Sequence, residues 1–316
     1  MIKVFFCCSW DHDSKHYIDK KILPLTNRQT GIWDNIEVTT TLEDAEWVVI
    51  MDDIPKTMLK QITHFNKNKV ICFPREKANK NPLYLRCGFK YAYTYSNFYH
   101  VWSSLLIGKN YNELLECSTY PKKNKLCSTI TSAYNPQSQF YPQRVQFIKD
   151  LSQAGKTKIN IPFPLDVDIY GYGWSKKELG SMYKGVFEGH VHRSNLKNDV
   201  DTLIPNSSKW DGLINYKYSI AIENSITPNL FEEKFTDCIL AWTIPIYCGC
   251  PNIANYFPKD CYYWLDITSP TCFEDLQKIL QTPITKKNIE ALRIARDLIL
   301  HKYNVVAVVH NIINED

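Results

Sequence analysis

Long basic tracts are missing from this chain. The densest cluster, Lys122-Lys123-Asn124-Lys125, reads as a solvated loop, and with a formal net charge of +4 and a pI of about 8.3 a dedicated nucleic-acid binder is excluded. Long apolar runs are missing as well. Met1 to Ser9 carries one lysine and a few apolar residues before Trp10-Asp11-His12-Asp13, too little for a signal-peptide core or a membrane span. A soluble, cytoplasmic protein is therefore expected. No internal repeat or low-complexity tract occurs, which excludes a solenoid or a disordered array. Regular cysteine spacing is absent too. The eleven cysteines are odd in number and scattered, and Cys72 and Cys238 sit within apolar runs, so reduced core thiols are expected rather than a disulfide framework. Cys248-Gly249-Cys250 and His190-Val191-His192 are spaced too closely for a closed zinc site. Asn206-Ser207-Ser208 is a formal glycosylation sequon, but nothing else points to secretion.

What is present is enough for two domains: 316 residues, of which 44% are hydrophobic and 13% aromatic. Lys3 to Cys8, Glu46 to Met51 and Val70 to Phe73 read as buried strands, with Thr57 to Asn66 as a helix between the last two. This alternation predicts a Rossmann-like first domain with a parallel sheet. Phe89 to Tyr95 is a further strand candidate, and Asn97 to Gly108 a helix. The polar stretch Lys109 to Lys125 marks the boundary, so residues 1–120 and 121–316 are taken as the two domains. In the second, Leu126 to Thr131 and Val167 to Tyr170 read as strands and Pro142 to Ala154 as a helix with proline in its first turn. Gly171 to Asn206 has no clear period and is expected to form loops. Ile253 to Tyr256, Tyr262 to Leu265 and Phe273 to Leu280 continue the alternation. Lys286 to Asn311 reads as one or two helices.

The most informative stretch runs from Tyr216 to Pro251. Tyr218 to Ile222 and Ile244 to Tyr247 are short apolar strands, and Phe231, Phe235, Cys238, Ile239 and Trp242 recur between them at helical spacing. Strand, loop, helix and strand make a βαβ crossover. Ligands of open parallel sheets bind beyond the carboxyl ends of the strands, so Glu223, Asn224 and the start of the following helix face one crevice. Glu233 and Lys234 lie in that helix's first turns, where free N–H groups and the positive dipole end favour an anion. Acceptors for hydroxyls and donors for phosphate together suit a sugar nucleotide. The alternative is a solvated Glu233–Lys234 pair on a surface helix.

Tyr216-Lys217-Tyr218-Ser219-Ile220-Ala221-Ile222-Glu223-Asn224-Ser225, then Glu233-Lys234 after a fixed gap, then Thr243-Ile244-Pro245-Ile246-Tyr247-x-Gly249-x-Pro251, resembles the donor-binding signature of family-10 glycosyltransferases, the α-1,3/1,4-fucosyltransferases. The resemblance implies a GT-B fold, two Rossmann-like domains facing across a cleft, with the C-terminal helix crossing back onto the first. It implies an inverting enzyme that takes GDP-fucose as donor and an oligosaccharide hydroxyl as acceptor, with no cofactor required and a divalent metal at most stimulatory. Animal members of the family are membrane anchored, so this N-terminus departs from them and points to the microbial or viral type.

Inverting transfer needs a base for the acceptor proton and a grip on the departing nucleoside diphosphate. Glu76, just past the strand Val70 to Phe73, matches the family's proposed base; Asp52 and Asp53 after the preceding strand are the fallback. Arg144 matches a family arginine on the phosphates and acts there with Lys234, a planar fork beside a compact charge. Glu233 and Asn224 would hold ribose or sugar hydroxyls. Glu223 is either a ligand or the partner that orients Lys234 or Lys217, and Lys184, in a Tyr183-Lys184-Gly185 segment that also resembles the family, is a further donor contact. Gly171 and Gly173 read as turn glycines. Leu230 stands where the family carries a donor-contacting tyrosine, which loosens the donor to fucose or a related deoxy-hexose. A rival reading uses Asp166-Val167-Asp168 as the metal-binding Asp-x-Asp of a GT-A transferase, a pattern Asp11-His12-Asp13 also shows; another is a glycan- or nucleotide-binding module without turnover.

Overall fold

A computed structural model describes residues 1–11, 13–75, 81–102, 107–153, 165–190 and 202–315. Two sheets organise them. The first takes strands β1 (Ile2–Cys8), β2 (Ile32–Trp33), β3 (Ile36–Thr39), β4 (Trp47–Met51), β5 (Val70–Phe73) and β6 (Tyr91–Ala92) in the order β2-β3-β1-β4-β5-β6. All its pairings are parallel except the hairpin β2/β3. The second takes β7 (Lys125–Ile130), β8 (Val167–Tyr170), β9 (Tyr183–Phe187), β10 (Leu203–Ile204), β11 (Tyr216–Ile222), β12 (Ile244–Cys248) and β13 (Tyr263–Trp264) in the order β10-β9-β8-β7-β11-β12-β13, parallel throughout. Parallel strands are covered on both faces, which is why β4, β5 and β12 are buried along their whole length and read as unbroken apolar runs. This is the GT-B arrangement of two Rossmann-like α/β units.

In each sheet the chain reverses direction across one pair of strands. Connections leave β1 and β4 towards opposite edges, and so do those leaving β7 and β11. Each pair therefore opens a crevice at its carboxyl end. Trp10 follows β1 and Asp52 follows β4; Ser132 follows β7 and Asn224 follows β11.

Two devices hold the halves together. The helix Val305–Asn314, which follows the helix Lys286–Asp297, packs back against the first half: Asn304 donates to the Leu25 carbonyl at 2.9 Å, His310 reaches Asp34 at 3.0 Å and Asn314 pairs with Asn35. Aromatic rings form the second device. Phe231, fully buried, lies 5.1 Å from Tyr256, 5.1 Å from Phe257 and 5.6 Å from Tyr303, and Tyr303 lies 5.2 Å from Tyr99 of the first half. Beside them Asn229, at a left-handed φ of 66°, donates to the Tyr95 carbonyl at 2.6 Å and accepts from Asn252 at 2.7 Å.

Three expectations need correction. Among its described residues, the Asn97 to Gly108 segment is not helical: its N–H groups go across the domain boundary, His100 to the Asn229 carbonyl at 2.8 Å and Trp102 to the Tyr303 carbonyl at 2.7 Å, and its aromatics pack into the ring cluster. The stretch Gly171 to Asn206 is not all loop. It contains β9, β10 and a short helix Lys176–Leu179 closed by a Ser175/Glu178 capping box, a signal that was present in Ser-x-x-Glu. Phe89 to Tyr95 shrinks to the two-residue β6 at the sheet edge. The eleven cysteines are all free, nine of them buried.

Phe231→Ala removes the ring on which this cluster centres and should lower the unfolding free energy by about 3–5 kcal/mol, measured by denaturant titration. A loss below about 1 kcal/mol would mean the cluster is incidental to the joint.

Candidate functional site

The second sheet's crevice is built from three sequence-distant pieces. Arg144, in the helix Tyr141–Gln153, is 2% exposed and ties the loops after β7 and β11 to each other. Its guanidinium donates to the Asn224 side-chain oxygen and to the carbonyls of Tyr134 at 3.2 Å and Ser132 at 3.4 Å, and lies 4.8 Å from the Tyr141 ring centroid. Its Nε is buried with no partner among the described residues. Burial pulls the guanidinium's pKa down. The loops can meet because Gly171, at φ 139°, runs against the loop after β7: a Cβ there would lie 1.8 Å from the Thr131 carbonyl oxygen. A close backbone approach, and not only a turn, fixes this glycine.

Lys234 is the hub of the second piece. The helix Glu233–Leu240 begins at N-cap Glu232, and the Lys234 ammonium sits 3.1 Å from Glu233, 3.4 Å from Glu232 and 3.6 Å from Glu223. Burial works against the ammonium, but the carboxylates of Glu233, Glu232 and Glu223 outweigh it and push its pKa up. Glu233 is the converse case: burial alone would raise its carboxyl, and Lys234 with Lys209 holds it well below the usual range. Glu223 lies fully buried beneath them. Its Oε1 accepts from the Glu232 N–H at 2.9 Å and the Tyr247 hydroxyl at 3.4 Å, while burial, only partly opposed by Lys234, drives its pKa up. Of the two roles left open for Glu223, its contacts here are those of a partner of Lys234. Gly249 is required at this floor, because a Cβ there would lie 2.4 Å from both the Glu223 Cγ and the Tyr247 hydroxyl oxygen.

The third piece was not foreseen. Lys209, 4% exposed, rises from a 3-10 turn before β11 and reaches Asp237 at 3.3 Å and Glu233 at 4.0 Å. Burial pushes the Asp237 carboxyl up to about 6 against the pull of Lys209. Nothing in the local sequence around Lys209 signals burial; its turn is closed by an ordinary Ser208/Asp211 capping box.

A cavity of about 470 Å³ joins the two halves at this point. Arg144, Asn224, Lys209, Glu233 and Lys234 line one wall, and Trp10, Lys21 and Arg75 line the other. Five of the sequence-predicted residues, Arg144, Asn224, Glu223, Glu233 and Lys234, thus converge. Glu76 lies outside the described residues. Of its fallbacks, Asp53 is committed to the first half's own loops, accepting from the N–H groups of Ile54 at 2.8 Å and Leu83 at 3.0 Å, and Asp52 accepts from Ser9 at 2.6 Å with its carboxyl pushed up by burial.

Lys184 does not join them. It is the second residue of β9, at the amino ends of the strands, and pairs with Asp168 at 3.1 Å. Asp168 also takes Lys125 at 3.2 Å and the Tyr216 hydroxyl at 2.6 Å, all at the end of the sheet opposite the crevice. That arrangement corrects the donor role for Lys184, and it puts Asp168 of the Asp166/Asp168 pair against two lysines at the far end of the sheet from the crevice. Asp11 and Asp13 are likewise local: Asp13 caps the helix Ser14–Tyr17 and Asp11 pairs with His16 at 2.9 Å. His12 and His192 lie outside the described residues, and Cys250 donates to Asn252 at 3.0 Å. Among the described residues no group of three or more His, Cys, Asp or Glu side chains is arranged to hold a metal, and no helix is long and apolar enough to cross a membrane.

No protein-family model matches the chain. A curated relative, 4-galactosyl-N-acetylglucosaminide 3-alpha-L-fucosyltransferase FUT6 of Gorilla gorilla gorilla, is 30% identical over 118 residues, a match that covers 34% of this chain and 30% of the relative. Among solved structures, an alpha1,3-fucosyltransferase aligns over 100% of this chain and 90% of its own at 16% identity and a TM-score of 0.46. The same enzyme type solved with GDP-fucose aligns over 96% and 82% at 17% identity and a TM-score of 0.41.

Lys209→Ala should strand the buried Asp237 carboxylate and cost about 3–5 kcal/mol of stability, whereas the double variant Lys209→Met/Asp237→Leu should recover most of that loss. Chemical denaturation of the three proteins checks it; equal stability for the single and double variants would refute the pairing.

Proposed function

We propose that this chain is an inverting glycosyltransferase that moves L-fucose, or a related deoxy-hexose, from a GDP-sugar to an oligosaccharide hydroxyl, in α-1,3 linkage. The observation that carries the reading is the meeting of Arg144, Asn224, Glu233 and Lys234 in the switch-point crevice of the second sheet, facing the first sheet's crevice across one cavity. The run from Tyr216 to Pro251 and the partial match to a fucosyltransferase support the same chemistry.

In this reading the diphosphate lies against Arg144 and the amino end of the helix Glu233–Leu240. The Lys234 ammonium, held by carboxylates on one side, is fixed in place for an anion arriving from the cavity, and free N–H groups at the helix start add to the pull. As the bond from the anomeric carbon to the β-phosphate oxygen breaks, negative charge grows on the leaving GDP and these cations offset it. The acceptor oxygen attacks from the opposite face, and its proton passes to a carboxylate of the first half, assigned to Glu76. Asn224 and Glu233 take ribose or sugar hydroxyls. Leu230 is 1% exposed and presents no hydroxyl, so the sugar's own substituents are read by fewer groups here, and a relative of fucose remains an eligible donor.

A thermal-shift panel tests the donor class: GDP and GDP-fucose should raise the melting temperature and UDP-sugars should not. A response to UDP-sugars alone would overturn the reading. Lys234→Ala should weaken GDP binding by about 1.5–3 kcal/mol, ten- to a hundredfold, by titration calorimetry. Glu76→Gln should cut turnover by roughly 10²–10⁴ with GDP affinity intact. Transfer should persist in EDTA, and activity that vanishes there and returns only with manganese would argue for a metal-dependent enzyme instead.

A further inference from the structure

The two walls of the cavity are charged in different ways. On the wall built by the second sheet both lysines are offset, Lys234 by Glu223, Glu232 and Glu233 and Lys209 by Asp237, and Arg144 donates to the Asn224 side-chain oxygen and the Ser132 and Tyr134 carbonyls. On the opposite wall Lys21 and Arg75 have no ion pair and donate no side-chain hydrogen bond among the described residues. Among the described residues the acids nearest them are engaged elsewhere, Asp11 with His16 at 2.9 Å and Asp52 with Ser9 at 2.6 Å; Glu76, which follows Arg75 in the chain and is assigned the acceptor's proton, lies outside those residues.

Both cations are partly buried and sit close enough to repel each other. Burial and the Arg75 charge lower the Lys21 amine's pKa, with Asp11 opposing. Like charges drawn together in a half-dry cleft cost stability in the empty protein, so their placement asks for a third, negative group. Their supports are specific. Lys21 lies in the helical turn Ile18–Ile22 that follows β1, and Arg75 follows β5, which brings both to the carboxyl-end crevice of the first sheet. The Arg75 guanidinium lies 4.1 Å from the Trp10 ring centroid. A guanidinium that uses its face on an indole keeps its in-plane N–H donors for a planar or tetrahedral oxyanion.

We infer that Lys21 and Arg75 form a second anion subsite, which takes a phosphate or carboxylate group carried by the acceptor. The subsite stands on the geometry of this wall alone; its assignment to the acceptor rests on the donor reading of the opposite wall. A diphosphate seated on Arg144 and Lys234 would leave these two cations to the other substrate. The acceptor class is thereby narrowed from any oligosaccharide to one that bears an acidic group near the hydroxyl that reacts.

The probe is inorganic phosphate, with sodium chloride at matched ionic strength as the control. Thermal shifts are read on wild type, Lys21→Met and Arg75→Met in the presence of saturating GDP, and GDP affinity is measured for each by calorimetry. Methionine keeps the apolar stem and removes the charge, and a melting temperature near wild type in chloride confirms that each variant folds. The expected result is a further stabilisation of the GDP-bound wild type by millimolar phosphate, lost in both variants, with GDP affinity within about threefold of wild type. Two results overturn it. If phosphate adds nothing to GDP-bound wild type, the subsite does not exist. If either variant loses tenfold or more in GDP affinity, the cations belong to the donor's diphosphate. Should GDP itself not bind, the donor reading fails separately, and the same phosphate titration without GDP, compared with Lys234→Ala, still decides whether the response depends on Lys21 and Arg75.

Discussion

The Lys234 ammonium lies within 3.6 Å of three carboxylates, and the second half of the molecule is arranged to make that tolerable. Burying charge in a protein interior costs several kcal/mol per ion unless partners and hydrogen bonds replace water. Each neighbour supplies part of the replacement. Glu223 is held from below by the Glu232 N–H and the Tyr247 hydroxyl, Gly249 leaves the room for it, and Lys209 shares Glu233 with Lys234. The cluster draws on the end of β11, the start of the helix that follows it, the end of β12 and the turn before β11, so it forms where the carboxyl ends of neighbouring parallel strands meet a helix start. The charged floor and the sheet topology are therefore one constraint and not two.

How far the sequence could be read follows from this. The strands that the core covers on both faces were legible as apolar runs with clean limits: Val70–Phe73 and Val167–Tyr170 fall where the pattern puts them. The residues of the site that belong to one contiguous signature, Glu223, Asn224, Glu233 and Lys234, were legible because strand end and helix start are close in the chain. Arg144 needed the resemblance, since it sits 80 residues from the Asn224 it contacts.

What escaped depends on contacts between distant pieces. Lys184 has the neighbours of a ligand-binding lysine in sequence, but strand position decides which end of a parallel sheet a side chain reaches, and its place near the start of β9 sends it to Asp168. Lys209 carries no local mark of burial, because its acidic partners come from a helix that follows the next strand. The Asn97 to Gly108 segment has helix-like apolar spacing that is spent on ring packing against Phe231 and Tyr303. Tertiary hydrogen bonds from His100 and Trp102 then override the local preference.

The return of the helix Val305–Asn314 to the first half has a consequence for how the chain is made. The β2 edge and the turn at Leu25 lie far ahead of their partner, with Leu25 279 residues before Asn304: the helix that seats on them, pinned through Asn304, follows the whole of the second sheet in the chain. That flank therefore has no cover until the second sheet has been made, so the first half gains its full set of contacts only after the chain has passed through the second and come back.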